Sequence, residues 1–529
     1  MDGKIREIIT PILYLLIAFL AGASVAVNFL PSKKISPANP QLYKLNEVMN
    51  YIDKYYVDSV DVDSIYDNAI NAILQGLDPH SSYSTPAQNK AMMEVLEGSF
   101  EGIGIQFNIM NDTVMVISTI SGGPSEKTGL RAGDRIVTVD GKSFVGASNE
   151  KVYKALRGKK GTHVKVGVIR PGFDKVYTYD IKRDVIPTYT VDVAYMVDKK
   201  TGYIKLNEFG STTAEEFAKA IQKLKGQGMQ QLIVDLRGNA GGFLDAAISV
   251  CDELLFNKQK IVSVEGLNVR PEVYYATRKG NFETGNVAIL IDDFSASASE
   301  IVAGAVQDND RGYVIGRRSF GKGLVQRQFN LNDESTIRLT TARYHTPSGR
   351  CIQRDYKEGT EAYYEELYQR IINGEMESED SIKLDKSEAY KTVGGRTVYG
   401  GGGIMPDYFV PLQRLDEMPG YSEVANTAAM VQYAFHYVTQ NKADLKKRYT
   451  NAKAFVDNYQ VSDAQLTQML GYYKKLSGHA APTLSAKDRT ELKIWTKALI
   501  GRNLYGEEAF YPVINTTDNT VQKALEVMK

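Results

Sequence analysis

The sequence predicts an α/β core with a small glycine-rich β-domain set into it and helices at both ends, and three observations carry that prediction. Residues 287–291, Val-Ala-Ile-Leu-Ile, are apolar on both faces and stop at Asp292-Asp293, after which Ile301, Val302, Ala305 and Val306 recur at helical spacing. A short strand buried on both sides that feeds a helix belongs to an α/β sheet. Residues 100–183 instead form short alternating runs broken by many glycines, the pattern of a small antiparallel domain. Residues 42–77 and those beyond Asp416 repeat their apolar positions at helical spacing. With 529 residues several domains are expected, because one core seldom grows past about 300 residues.

Composition narrows the class of protein. Apolar residues make up 43% and charged residues 24% of the chain, and 63 basic residues balance 63 acidic ones. That is ordinary globular usage, and no charge excess points to nucleic acid. The two cysteines, Cys251 and Cys351, form no disulfide scaffold and are expected to be buried and reduced. Neither metal-ligand spacing nor a cofactor motif occurs, so no metal and no organic cofactor is expected.

In chain order, Lys4 and Arg6 precede an uncharged run from Ile8 to Leu30, long enough to cross a bilayer. Two outcomes compete: an anchor with its basic end inside, or a signal peptide cut after Ser24-Val25-Ala26. Either puts the body outside the cytoplasm, facing the periplasm or the exterior, membrane-anchored in the first case and soluble in the periplasm in the second. A polar linker over Pro31 to Pro40 leads into the first helices, which end at Leu77-Asp78-Pro79-His80-Ser81. His80 is read there as part of a capped turn. In the β-domain, Gly102-Ile103-Gly104-Ile105 opens the first strands, Asp140-Gly141 closes a hairpin, and Ser148 to Leu156 forms a short helix with Gly158 after it.

The α/β region begins after Pro187. Tyr203 to Leu206 and Gln231 to Leu236 are strands, Thr213 to Lys225 and Phe243 to Leu255 are helices, and Arg237-Gly238-Asn239-Ala240-Gly241-Gly242 is the turn between the second pair. After Val287 to Ile291 come three serines, Ser295, Ser297 and Ser299, alternating with alanines. They sit where a buried strand becomes a helix, so a hydroxyl there is held rigidly near N–H groups that have no partner inside the helix. A serine is inert until a base takes its proton. Downstream, Lys322 stands between Gly321 and Gly323, with Gln326 four residues on. A lysine base must lose about three pKa units by burial, or ~4 kcal/mol of desolvation. Lys322 and Gln326 would be about 13 Å apart in a strand but about 6 Å apart across a helical turn, so Gln326 can orient the amine only if this segment is turned. Two rivals use the same residues. Gly316 to Lys322 spells a phosphate loop, but Gly323 replaces the Ser or Thr that loop needs. His345, with Asp292 or Asp293, offers a serine–histidine–acid triad.

The residues SASASEIVAGAVQD, followed by G-x-x-SFGKG-x-VQ, resemble the C-terminal processing, or tail-specific, serine protease family, and the resemblance runs from about Leu42 to Pro411. It implies a serine–lysine dyad in which Ser297, the middle serine, is the nucleophile, Lys322 the base, and Gln326 the residue that positions the lysine. It implies a crotonase-like spiral of strand–strand–helix units for the core. The turn at Arg237 resembles the family's LRGNPGG loop with Ala240 in place of proline, so an N–H of Gly241 or Gly242, with that of Ala298, would form the oxyanion hole. The β-domain resembles a PDZ domain. Such a module adds a substrate's C-terminal strand to its sheet edge and receives the free carboxylate in a glycine-rich loop, here Gly102 to Gly104, with Ile103 and Ile105 lining an apolar pocket. The expected organisation is 1–34 for anchor or signal and linker, 35–98 helical, 99–184 PDZ, 185–414 protease core with an acidic, tyrosine-rich surface insertion at about 356–391, and 415–529 a helical domain without chemistry. The expected partners are protein C-terminal tails, with the membrane through the N-terminal segment, no nucleic acid, and room for a homo-oligomer. The rival from another class is a non-catalytic PDZ scaffold on a protease-like core.

Overall fold

A computed structural model describes residues 40–529 apart from 111, 121, 132, 171, 172, 174 and 278. The apolar run Ile8 to Leu30 lies outside the described residues. Among the described residues no helix is long and apolar enough to cross a membrane. Two compact units divide at Ile73. The first holds the helix Pro40–Tyr55 and most of the helix Val62–Gln75.

The second unit is organised around a six-stranded sheet in the order Val191–Met196, Thr201–Leu206, Gln231–Asp235, Val287–Ile291, Tyr313–Gly316, Tyr408–Phe409. Its first pair is antiparallel and the other four are parallel. The strand Val287–Ile291 is buried on both faces, as its composition requires, and its two faces meet different partners. Ile289 and Ile291 pack with Phe217, Ile221 and Leu224 of the helix Thr213–Gly226, Val250 and Leu254 of Leu244–Leu254, and Ile301, Val302 and Ala305 of Ala298–Asp308. Ala288 and Leu290 point the other way, as alternation in a strand demands. They pack against Val521, Ala524 and Met528 at the C-terminal end of the chain. The helix Asn519–Val527 therefore covers the second face of the core sheet, a role that no local pattern in its residues signals. The rest of the helices after Pro419 build a separate apolar cluster around Tyr433, Phe455, Met469 and Leu492.

A second, antiparallel sheet joins Ser82–Ser84, Thr336–His345, Lys260–Gly266 and Val269–Tyr275, with Leu324–Asn330 pairing along the other edge of Thr336–His345. The β-domain is an antiparallel sheet in the order Ile105–Met110, Thr113–Thr119, Arg135–Val139, His163–Ile169, Val176–Lys182. Its hairpin turns through Asp140 (φ +48°) and Gly141 (φ +77°), the paired positive φ values of a type I′ turn. The helix Asn149–Leu156 starts at Ser148, whose hydroxyl accepts from Lys151 N–H. The strand Ile105–Met110 lies at the sheet's end and leaves one edge for another strand. Ile103 departs from expectation. It is 2% exposed and packed within the domain's core, so it lines no open pocket, whereas Ile105 is half-buried against that core. Gly104 sits at φ +72°, with Ile186 Cδ1 2.9 Å from where a Cβ would stand.

The insertion is likewise not a surface feature alone. On its helix Thr360–Ile372, Tyr363 and Arg370 are buried. Arg370 donates to Ser319 O at 2.9 Å, and Glu366 binds both Arg354 and Arg370. The Arg354 guanidinium in turn lies 4.4 Å from the Phe320 ring centre and 4.0 Å from that of Tyr363. One face of the insertion thus holds the loop that carries Lys322.

Candidate active site

The three serines have three different fates. Ser295 Oγ donates to Leu236 O at 2.9 Å and Ser299 Oγ to Asn239 O at 2.8 Å, and both residues are fully buried. Those two hydroxyls tie the helix start to the glycine turn after Gln231–Asp235. Ser297, between them, lines a cavity of about 690 Å³. It caps the helix Ala298–Asp308 at φ +55°, ψ −112°, a conformation costly for any residue with a Cβ and typical of sites that the surroundings force into place. Gly241 makes the approach feasible: at φ +103°, a Cβ on it would stand 2.8 Å from that of Ser297 and 3.0 Å from Ala298 N.

Lys322 lines the same cavity. Burial lowers its pKa from 10.5 to about 8, and the positive charge of Arg338 adds to that, while Glu300 and Asp78 pull the other way. The net shift disfavours the charged amine by ~3 kcal/mol at about 1.4 kcal/mol per unit. The flanking glycines admit the chain Gln353-Arg354: a Cβ on Gly321 would meet Arg354 Cγ at 2.6 Å, and one on Gly323 would meet Gln353 N at 2.9 Å.

What joins serine to lysine is a residue that the sequence patterns above do not single out. Glu300 is fully buried, and its Oε2 accepts from Ser297 N–H at 2.8 Å and from Lys322 N–H at 2.9 Å. Its Oε1 accepts from Ser319 Oγ at 2.5 Å and Gly321 N–H at 2.7 Å. Burial raises its pKa, and these four bonds oppose the rise. Tyr344, also buried, adds a second link by donating its hydroxyl to Lys322 O at 2.7 Å and Ser297 O at 3.2 Å. A Glu three residues after a serine at a helix start is a capping-box signature, the one local signal that could have marked Glu300. Tyr344 has no such signal.

The phosphate-loop rival fails here. The N–H groups of Gly321 and Lys322 are already spent on the Glu300 carboxylate, and the chain continues into the strand Leu324–Asn330 rather than a helix. The triad rival fails on position. His345 faces Glu265, with Nε2 3.5 Å from its carboxylate, Asp293 pairs with Arg317, and Asp292 accepts from Gly238 N–H. None of the three lines the cavity.

Gln326 lines the cavity with Lys322, but the helical turn that would bring the two side chains to neighbouring positions does not form. Pairing with Thr336–His345 keeps the chain extended from Leu324 onward, with a bulge at Val325/Gln326 as its local irregularity. The Gln326 amide donates to Thr340 Oγ1 at 3.2 Å, and that hydroxyl donates to Asp78 at 2.9 Å. Asp78 also accepts from His80 N–H, Ser81 N–H and Ser81 Oγ, so the turn ending the N-terminal helices reaches the site through its carboxylate. His80, next to Tyr363 OH at 3.1 Å, is held neutral by burial and then by the nearby charge of Lys322, its pKa lowered to about 4.

In the glycine turn, Gly241 N–H is taken by Asn239 Oδ1 at 2.9 Å. The N–H groups of Gly242 and Ala298 have no hydrogen-bond partner among the described residues, and both residues line the cavity with Ser297. Asn239 is itself anchored by Leu206 O at 2.9 Å. The turn's base is fixed by Asp235, buried beneath Arg237, Tyr203 and Lys205. Arg237 reaches on to Asp518 at 2.8 Å, the cap of the helix Asn519–Val527, so the end of the chain also braces this turn.

Burial of the lysine has a measurable consequence. Activity that needs the uncharged amine rises with pH, half-complete near pH 8. Because the fold disfavours the charged form, the folded protein binds fewer protons than the unfolded chain between about 8 and 10.5, and stability increases with pH across that window. Below it the whole penalty applies. Lys322→Met should therefore raise Tm at pH 7, by ~1–3 kcal/mol of stability, while abolishing activity. A lowered Tm with a kcat/KM profile flat between pH 6 and 9 would contradict this assignment.

Residues 200–363 match Peptidase family S41 and residues 102–182 a PDZ domain, while residues 420–506 match a family of unknown function. Together with the α/β core and the serine at its strand-to-helix bend, this defines a serine-type peptidase carrying a PDZ domain. The chain is 36% identical over 337 residues to the carboxy-terminal processing protease CtpA of Bacillus subtilis, covering 64% of this chain and 71% of the relative. It is 36% identical over 348 residues to the carboxy-terminal-processing protease of Bartonella bacilliformis, covering 64% and 80%. The chain belongs to the carboxy-terminal processing protease family. Among solved structures, the photosystem II D1 C-terminal processing protease is 31% identical over 59% of this chain and 83% of its own, with a TM-score of 0.34; family membership rests on the sequence identities.

Proposed function

We propose that this protease binds the unfolded C-terminal tail of a protein through its PDZ domain and cuts near that end with Ser297 as nucleophile and Lys322 as base. One observation carries the reading: Ser297, strained at the start of a buried helix, and Lys322, partly withdrawn from solvent, line one cavity with their backbone N–H groups bound to the same oxygen of Glu300. Lys322, uncharged, takes the Ser297 proton as Oγ attacks the scissile carbonyl. The N–H groups of Ala298 and Gly242 stabilise the resulting oxyanion, while Gly241 contributes space, its own N–H being occupied by Asn239. As the tetrahedral intermediate collapses, the Lys322 ammonium protonates the leaving amine. Water then repeats the sequence on the acyl-enzyme. Gln326 orders this wall of the cavity through Thr340 and Asp78.

The tail lies along the free edge of Ile105–Met110, with its carboxylate at Gly102 to Gly104, and occupancy of this groove raises the cleavage rate. Peptides with apolar C-terminal residues should accordingly be cleaved about tenfold faster as free acids than as C-terminal amides, the loss of one charge-assisted contact. Equal rates for the two forms would overturn tail recognition and leave the cleavage chemistry standing.

The core is read as a crotonase-like spiral of strand–strand–helix units, with the boundaries 35–98, 99–184, 185–414 and 415–529. Export, with retention at the membrane, is supported by the uncharged run from Ile8 to Leu30 behind Lys4 and Arg6.

A further inference from the structure

Glu208, Lys322 and Arg338 are the charged side chains among the described residues lining the cavity. Lys322 has its role in the dyad, but the proposed chemistry gives Arg338 none. Arg338 lies on Thr336–His345, two residues before Thr340 and so on the same face of the strand; beyond the register shift between Thr340 and Ala342, Tyr344 lines the cavity as well. Its register partner on the neighbouring strand is Gln328, which also lines the cavity. Arg338 forms no ion pair among the described residues, and its guanidinium's polar contact there is with the sulfur of Met92, a weak acceptor. Half-burial lowers its pKa, and no acidic group opposes that shift. Five N–H donors in a planar fork, partly desolvated and facing a cavity whose one carboxylate, Glu208, forms no ion pair with them among the described residues, match a carboxylate's two oxygens. The charge of Arg338 is felt by Lys322, which puts the subsite close to the scissile bond.

We propose that Arg338 is a carboxylate-binding subsite of the catalytic cavity, engaging either an acidic side chain of the substrate near the cut or the terminal carboxylate of a chain short enough to end there. This rests on the reading of the cavity as the place of cleavage.

The test uses the full-length Ser297→Ala protein, which binds without cutting. Affinities are measured for an apolar peptide with Glu scanned through every position, against matched Gln peptides, each as free acid and as amide. At one or two internal positions Glu should bind about tenfold more tightly than Gln. Arg338→Gln should erase that ratio, Arg338→Lys should keep most of it, and Arg338→Glu should invert it. If the source is the chain terminus, the Arg338-dependent preference will instead be for free acid over amide. The PDZ contribution to that comparison is the same with and without Arg338. Equal binding of all pairs, or a preference that survives Arg338→Gln, would overturn the subsite. Failure of the protease reading shows separately, as wild-type protein leaving every peptide intact, and the binding ratios still decide the role of Arg338.

Discussion

Ser297→Ala is expected to lower kcat for a tail peptide by about 10⁴-fold or more, and Lys322→Ala by a comparable factor, because a nucleophile and its base act as one unit and losing either removes nearly all their joint effect. Both variants should still bind the peptide, since neither touches the edge strand Ile105–Met110. Ser295→Ala and Ser299→Ala form the control. Their hydroxyls are spent on Leu236 O and Asn239 O, so they should lose stability, by about 1 kcal/mol each, and keep most of their activity. His345→Ala should be close to wild type, its ring facing Glu265 away from the cavity. Residual activity in Ser297→Ala within tenfold of wild type, read from single-turnover cleavage followed by mass spectrometry, would end the assignment of that serine. Activity lost in His345→Ala and kept in Lys322→Ala would move the base.

The second large effect is expected at Glu300. A carboxylate has two acceptor oxygens, and here each takes two donors: Ser297 N–H and Lys322 N–H on one, Ser319 Oγ and Gly321 N–H on the other. Glu300→Gln keeps the shape but replaces one oxygen with an NH₂ group that must face one of those donor pairs. Two buried donors are then unsatisfied, at about 1–3 kcal/mol each, and the backbones carrying nucleophile and base lose their shared anchor. The expected outcome is a fall in stability of ~3–5 kcal/mol and in kcat of at least about 10²-fold, the scale of removing one preorganised contact to the reacting centre. The contrast with Lys322→Met is diagnostic. One variant is inactive and more stable, the other inactive and less stable, as thermal unfolding and kcat on the same preparations will show. A Glu300→Gln protein with native Tm and native kcat would mean that the carboxylate anchors nothing.

The two predictions differ in how far the sequence could reach them. The serine run and the glycine-flanked lysine stand out in the chain because each local pattern is unusual: a doubly buried strand that ends in small polar residues, and a cation between two glycines. Nothing local separates Ser295, Ser297 and Ser299, which alternate at equal spacing. The family resemblance points to the middle one, and in the fold carbonyls some 60 residues upstream claim the outer two. Gln326 shows the converse limit. Spacing to Lys322 set a geometric condition, but pairing with Thr336–His345 held the segment extended and turned the amide to Thr340. The insertion, acidic and tyrosine-rich, reads as surface because its exposed face dominates its composition, whereas Tyr363 and Arg370 on the other face brace the lysine loop.

Periodicity, turn chemistry and unbroken apolar runs depend on each residue's neighbours along the chain, and from these alone the sequence determined the doubly covered strand, the helix that starts at the serines, the Asp140-Gly141 hairpin, the glycine turn and the helical ends. The tertiary structure decided which serine faces the cavity, that a buried Glu300 joins it to the lysine, that Ile103 belongs to a core rather than a groove, and that residues 519–527 cover the sheet beneath the site. Each of those outcomes depends on a partner brought near by folding, and the free energy of such a contact, desolvation set against a hydrogen bond or a packed neighbour, does not exist until the two surfaces meet.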